Sequence, residues 1–183
     1  MKSSTRYSTV AIAIHWLAAL LILSAIAMGV YMTGLQVSPL RLKLVNWHKW
    51  LGVTILAVSV LRLAWRLTHR PPADVEMPRW QARAAHATHW MMYALFIAVP
   101  LAGWAYSSAA GFPVVVFGGL PLPDLVAPDR ALAAALKGLH GTLALTLGSL
   151  IALHVAAVMK HQVMDRDGLL GRMVPGRLEG QSR

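Results

Sequence analysis

The chain has 183 residues, 57% of them hydrophobic and only 13% charged, with a formal net charge of +10 and no cysteine. That apolar fraction is too high for an average soluble domain, and the lack of thiols excludes disulfides, iron–sulfur clusters and thiolate-bound metals. A basic balance can mark a nucleic-acid binder, but here Lys and Arg gather at the ends of apolar runs, which makes membrane topology their cause and leaves nucleic acid out as a partner.

Four segments near twenty residues long carry few charges and are long enough to cross hydrocarbon as helices. The expected fold is all-α, an integral membrane four-helix bundle in one domain over residues 1–183. The first span covers about 10–32. Lys2, Arg6, an apolar core and Ala25-Ile26-Ala27 imitate a secretory signal, yet the run continues through Gly29, Val30 and Tyr31 and holds His15, which favours a retained helix. A loop with Ser38-Pro39, Arg41 and Lys43 leads to the second span, about 47–67. Thr68-His69-Arg70-Pro71-Pro72 ends it, because proline cannot continue the helical ladder. A loop with Arg79 and Arg83 precedes the third span, about 86–106, where Pro100 predicts a kink. Residues 111–128 are rich in Gly and Pro, and Val114 to Phe117 reads as a short strand or a dip into the membrane. Asp129 predicts the N-cap of a helix leading into the fourth span, about 139–160. The tail, 161–183, is polar and expected to be disordered at its end.

With four spans, the N-terminus, second loop and tail share a side. Twelve Lys and Arg lie there against five on the other (Arg41, Lys43, Lys49, Arg130 and Lys137), which puts both termini in the cytoplasm. Trp16, Trp47, Trp50, Trp65 and Trp90 fall near span ends, as an interfacial aromatic belt requires.

The histidines sort by depth on this topology. His140 and His154 are fourteen residues apart on the fourth span, so they advance about 21 Å and return within about 40° of one direction. His154 is then level with His15 near the cytoplasmic face, and His140 with His48 near the outer face. Two imidazoles at one depth on two helices are what a six-coordinate b haem requires, and a free haem needs no cysteine. His86 and His89, at i,i+3 near the cytoplasmic face, are alternatives to His15 as the partner of His154. Gly52, Gly141 and Gly148 would allow a flat macrocycle or a helix to approach. Zinc, copper or nickel transport is the rival use of buried imidazoles, but it predicts carboxylates beside them, and all seven acids lie outside the apolar spans. Arg6, Arg79 and Arg83 are candidates for haem propionates on the inner side, and Arg41, Lys43, Lys49 and Lys137 on the outer. His89, Arg79 and His161 are candidates to bind or protonate a quinone.

Ile14-His15-Trp16, His48-Lys49-Trp50-Leu51-Gly52, Ala85-His86-Ala87-Thr88-His89, Leu139-His140-Gly141 and Leu153-His154, in this order and spacing, resemble the prokaryotic cytochrome b561 family. The resemblance runs over about residues 5 to 175. It implies two b haems, one held by His15 and His154 and one by His48 and His140, in a bacterial inner membrane protein that exchanges electrons with the quinone pool. Short members similar to this chain include superoxide oxidase, which implies oxidation of superoxide outside and reduction of ubiquinone. The family also resembles haem-b subunits of formate dehydrogenases and nickel–iron hydrogenases, so the alternative is an electron-transfer subunit of a larger complex. A protein partner is thus compatible but not required, and no separate catalytic residue is assigned.

Overall fold

The computed structural model describes residues 6–174. Lys2, Arg177, Glu179 and Arg183, and the end of the tail expected to be disordered, lie outside the described residues. Four long helices form the molecule: α1 (Thr9–Thr33), α2 (Pro39–Thr68), α3 (Arg79–Ala109) and α4 (Arg130–Lys160). Each contains a window apolar enough to cross a membrane, and the chain is an all-α membrane bundle.

The helices outrun the apolar segments because capping chemistry, not hydropathy, sets their ends. Ser38 accepts the amide of Arg41 and Pro39 occupies the first turn of α2, so Arg41 and Lys43 stand on the helix, not in a loop. Asp129 accepts the amide of Leu132 at 2.8 Å and starts α4 well before its apolar stretch. Pro100 lies inside α3, which remains one continuous helix.

Between α3 and α4 the chain makes a two-stranded hairpin, β1 (Val115–Val116) against β2 (Leu120–Pro121). Phe117 and Gly118 turn it with φ of +50° and +73°, the left-handed conformations that a tight hairpin needs. The hairpin is tied down over the bundle end by Trp50, whose indole donates to the Val115 carbonyl at 2.7 Å. Val114 beside it is almost fully buried.

At the opposite end, the end of α1's first residues, the tail folds back. His161–Asp165 continue α4 as one π-helical turn, and Arg166 and Gly168 reverse the chain at positive φ. Trp16 Nε1 then donates to the Met173 carbonyl at 2.7 Å and Arg172 to the Ala73 carbonyl at 2.5 Å, tying α1 and the α2–α3 loop to the tail.

The helices pack in the order α1, α2, α3, α4, with α3 and α4 making the most extensive contact. The backbones of α1 and α2 hardly approach that of α4. Side chains bridge the middle of the bundle instead: Ala18, Ile22 and Ala25 of α1, Ile55 of α2, Met92 and Phe96 of α3, and Leu147 of α4 form its core. Large apolar side chains such as Leu20, Val60, Leu145 and Leu153 cover the outside, where lipid is the solvent that accepts them.

Removing the α4 cap tests this account. Asp129→Ala should cost about 1 kcal/mol and lower the unfolding midpoint in detergent, whereas Asp129→Asn, which can still accept the Leu132 amide, should stay near the wild type.

Candidate functional site

At the hairpin end, the rings of His48 and His140 face each other edge to face, with centroids 6.1 Å apart. His140 Nδ1 and the Val99 carbonyl are 3.0 Å apart. A carbonyl only accepts, so the proton is on Nδ1 and Nε2 keeps its lone pair. That is the state of an imidazole ready to bind a metal, with its other nitrogen held by the protein. His48 has a buried Nδ1 without a hydrogen bond of good geometry, its contact to the Ala25 backbone falling short of one. Both rings border a cavity of about 90 Å³, which Lys49, Gly52, Trp104 and Val114 also line. Lys49 itself donates to the Phe112 carbonyl at 3.0 Å.

Two glycines make room for these rings. A Cβ on Gly103 would lie 3.0 Å from both Cε1 and Nδ1 of His140, and one on Gly29 would lie 3.3 Å from Cε1 of His48. So α3 and α1, which carry neither histidine, are cut back where each ring passes. The glycines singled out from the sequence behave differently: a Cβ on Gly52, Gly141 or Gly148 would meet nothing within 4 Å. Gly52 instead borders open space in the cavity.

The other end of the bundle brings three imidazoles together. His154 has the ring of His89 as its neighbour, with centroids 5.2 Å apart. His15 receives a hydrogen bond at Nδ1 from Arg62 Nη2 at 2.7 Å. Guanidinium has no acceptor, so a neutral His15 paired this way carries its proton on Nε2. His15 is nevertheless within electrostatic range of both His89 and His154. Arg62 lies over the rings of Tyr93 at 5.2 Å and Phe96 at 5.8 Å.

The remaining candidates are peripheral. His86 is exposed and pairs with Asp74 at 2.9 Å; Arg79 and Arg83 are exposed on the first turns of α3. Arg6 donates to the Val174 carbonyl at 2.7 Å. His69 stacks on Trp65 with centroids 3.7 Å apart. His161 lies 2.6 Å from Asp167 and 3.1 Å from Asp165. Burial pushes the Asp167 carboxyl up, but the Leu169 amide and His161 outweigh it and hold Asp167 below the usual carboxylate range. Donor atoms of His161, Asp165 and Asp167 all fall within 4.8 Å, as a metal site would need. Lys160, 2.6 Å from Asp165, already gives that cluster a cation.

Arg62 was the residue to notice in the sequence, since a charge within an apolar span is a functional signal by default. Gly29 and Gly103 carry no such signal, because only packing shows which glycine faces a ring.

Two groups of imidazoles at the two ends of a membrane bundle, with no thiolate near either, narrow the comparison to membrane haem proteins. The chain matches the prokaryotic cytochrome b561 family over residues 6–176. It belongs to that family. Among its relatives, cytochrome b561 homolog 2 of Escherichia coli K12 is 32% identical over 171 residues, covering 92% of this chain and 91% of that protein. A probable superoxide oxidase CybB of Yersinia pestis is 32% identical over 171 residues, covering 93% and 96%. Cytochrome b561 homolog 1 of E. coli K12 is 30% identical over 174 residues, covering 94% and 98%.

This cytochrome b561 is therefore a multi-pass bacterial membrane protein of haem-b electron transfer. Its residues fit the cofactor. His48 and His140, with rings 6.1 Å apart, a buried Nδ1 without a good hydrogen bond on His48 and a bordering cavity, would hold the iron of one haem, which would supply one-electron redox chemistry. A neutral nitrogen donor set with no competing carboxylate in the helices suits haem iron better than a hard cation.

Gly103→Ala should push His140 off its position and remove or shift one b-haem signal in the reduced spectrum. Gly138→Ala, on α4 outside the cavity lining and with no atom within 4 Å of its Cβ, should keep the wild-type spectrum. Equal effects from the two would mean that the cutaway at Gly103 does not matter.

Proposed function

We propose that this cytochrome binds two b haems, oxidises superoxide at the hairpin end and reduces ubiquinone. The observation that carries the proposal is the separation of the imidazoles into two groups, one at each end of the bundle, with an apolar core between them. The relative named a probable superoxide oxidase supports the choice of electron donor. Orientation follows the Lys and Arg bias, with both termini in the cytoplasm and the hairpin outside.

His48 and His140 are the proposed ligands of the outer haem. His154 is one ligand of the inner haem, and His15 is the proposed other. The reason is space. A macrocycle needs separation between the helices whose side chains hold it, and α4 is well separated from α1 and α2 but closely packed on α3. His89 touches His154 because α3 is α4's near neighbour, which leaves it beside the inner site as a candidate for the quinone. Bound haem would supply one-electron redox chemistry that no side chain here can supply.

The overall balance is simple. Two superoxide anions give up two electrons and leave as dioxygen, while ubiquinone takes up those electrons and two protons to become ubiquinol. The chain's own contributions are at the ends. Arg41, Lys43, Lys49 and Lys137 give the outer end a positive field, which raises the encounter rate of a small anion. Val114, which leads into the hairpin, lines the cavity beside His48 and His140. His161, held by Asp167, is the proposed proton-handling group on the cytoplasmic side, with exposed His86 as a second candidate; Arg79, whose guanidinium stays charged, is a candidate to bind the quinone and not to protonate it.

Stopped-flow mixing of the purified haem-loaded protein with superoxide, with and without ubiquinone, tests the reaction. Haem reduction by superoxide that reverses on adding quinone is expected, and no haem reduction would rule out superoxide as donor. Lys49→Glu should slow that reduction roughly two- to tenfold at low ionic strength and less at high salt. For the ligands, His15→Ala should lose the inner haem and keep the outer, and His140→Ala the reverse. His89→Ala should keep both, and loss of the inner haem in His89→Ala alone would move the ligand assignment to α3.

A further inference from the structure

We infer that Arg62 and Arg66 form an anion cradle for the carboxylates of the haem at the inner site, an assignment that rests on the di-haem reading above. Three observations lead to it. Arg62 sits within α2, six residues before its end at Thr68, and it donates a hydrogen bond to a neutral imidazole, His15 Nδ1. No ion pair joins it to a carboxylate among the described residues. Arg66 lies one turn further along the same face, and its Nη1 is buried with no hydrogen-bond partner among the described residues.

A guanidinium among apolar helices is costly unless an anion or several good acceptors meet it. Here the surroundings are two aromatic faces, Tyr93 and Phe96, and three imidazoles. The Tyr93 side chain also offers Arg62 a hydrogen bond and Tyr7 is within electrostatic range, but neither phenol is an anion at neutral pH. The protein therefore holds two fixed donors and, among the described residues, pairs neither with a carboxylate. The missing acid has to come with a ligand. It must also free His15, whose Nδ1 is engaged by Arg62 and whose Nε2 then bears the proton. A haem brings both parts at once: iron for the imidazole and carboxylates for the guanidinium groups. A lipid phosphate or free phosphate would meet the arginines without accounting for His15.

The test uses the full chain loaded with haem and reads potentials and binding, not turnover. Positive charge beside a haem disfavours its oxidised form, which carries one more positive charge. In Arg62→Gln the midpoint potential of one haem should fall and the other stay as in the wild type. Arg62→Lys should recover most of the shift, and Arg66→Gln should move the same haem the same way. A second measurement covers a variant that binds haem poorly. Haem-depleted protein is titrated with b haem and with its dimethyl ester, whose carboxylates are uncharged. The wild type should prefer the free acid at the inner site, and Arg62→Gln should lose most of that preference. Unchanged potentials in both glutamine variants, or the same acid-over-ester preference in wild type and Arg62→Gln, would overturn the assignment. A wild type that bound no b haem would instead refute the reading on which it rests.

Discussion

A polar group inside hydrocarbon must find a partner, and this bundle provides few from its own side chains. Among the described residues carboxylates are confined to loops and helix ends, so the imidazoles and guanidinium groups within the helices meet carbonyls, aromatic faces and one another. His140 is settled by the Val99 carbonyl. His48 and Arg66 each keep a buried nitrogen without a good hydrogen bond, and Arg62 leans on a neutral histidine. In lipid such groups persist where function holds them, and a haem protein is the setting in which nitrogen donors without carboxylates make chemical sense.

The same constraint explains the architecture. Since α4 carries a histidine toward each end, it cannot be packed closely against every neighbour. It packs on α3 and stands off from α1 and α2, and the core residues Ile22, Ile55, Phe96 and Leu147 bridge the middle. That apolar layer keeps the two histidine groups apart and fixes the spacing of the bundle at mid-height. The ends are then shaped by other means. The hairpin, pinned by Trp50 and plugged by Val114, covers one end. The tail, joined to Trp16 and to the α2–α3 loop, covers the other. Each covering depends on an indole donating to a backbone carbonyl, which lets a tryptophan at the membrane boundary serve as belt and fastener together.

Much of the fold was legible because hydrocarbon thickness imposes a length that shows directly as apolar runs. Helix ends were less evenly legible: Ser38-Pro39 begins a helix among polar residues where hydropathy is blind, whereas Asp129 was readable as the N-cap it is because its side chain can accept a first-turn amide. The depth matching of His48 with His140 needed only helix rise and connectivity, and the structure brings those rings edge to face, 6.1 Å apart. The inner group was harder to read. Depth alone cannot tell His15 from His89, because both lie level with His154 and differ only in which helix packs against α4.

The sequence by itself determined four spans, the depth of each histidine, the exclusion of thiol chemistry and the membership of a cytochrome family. The first three follow from composition and from one-dimensional spacing, which a helix converts to height at a fixed rise, and the family from the resemblance of the histidine motifs. Only the tertiary structure decided which side chains meet at a given height. It set Gly29 and Gly103 against the histidine rings, placed Arg62 on His15 and His89 on His154, and folded hairpin and tail over the ends. Those outcomes depend on helix rotation and on the order in which helices neighbour one another, and a periodic apolar pattern surrounded by lipid leaves both almost unmarked.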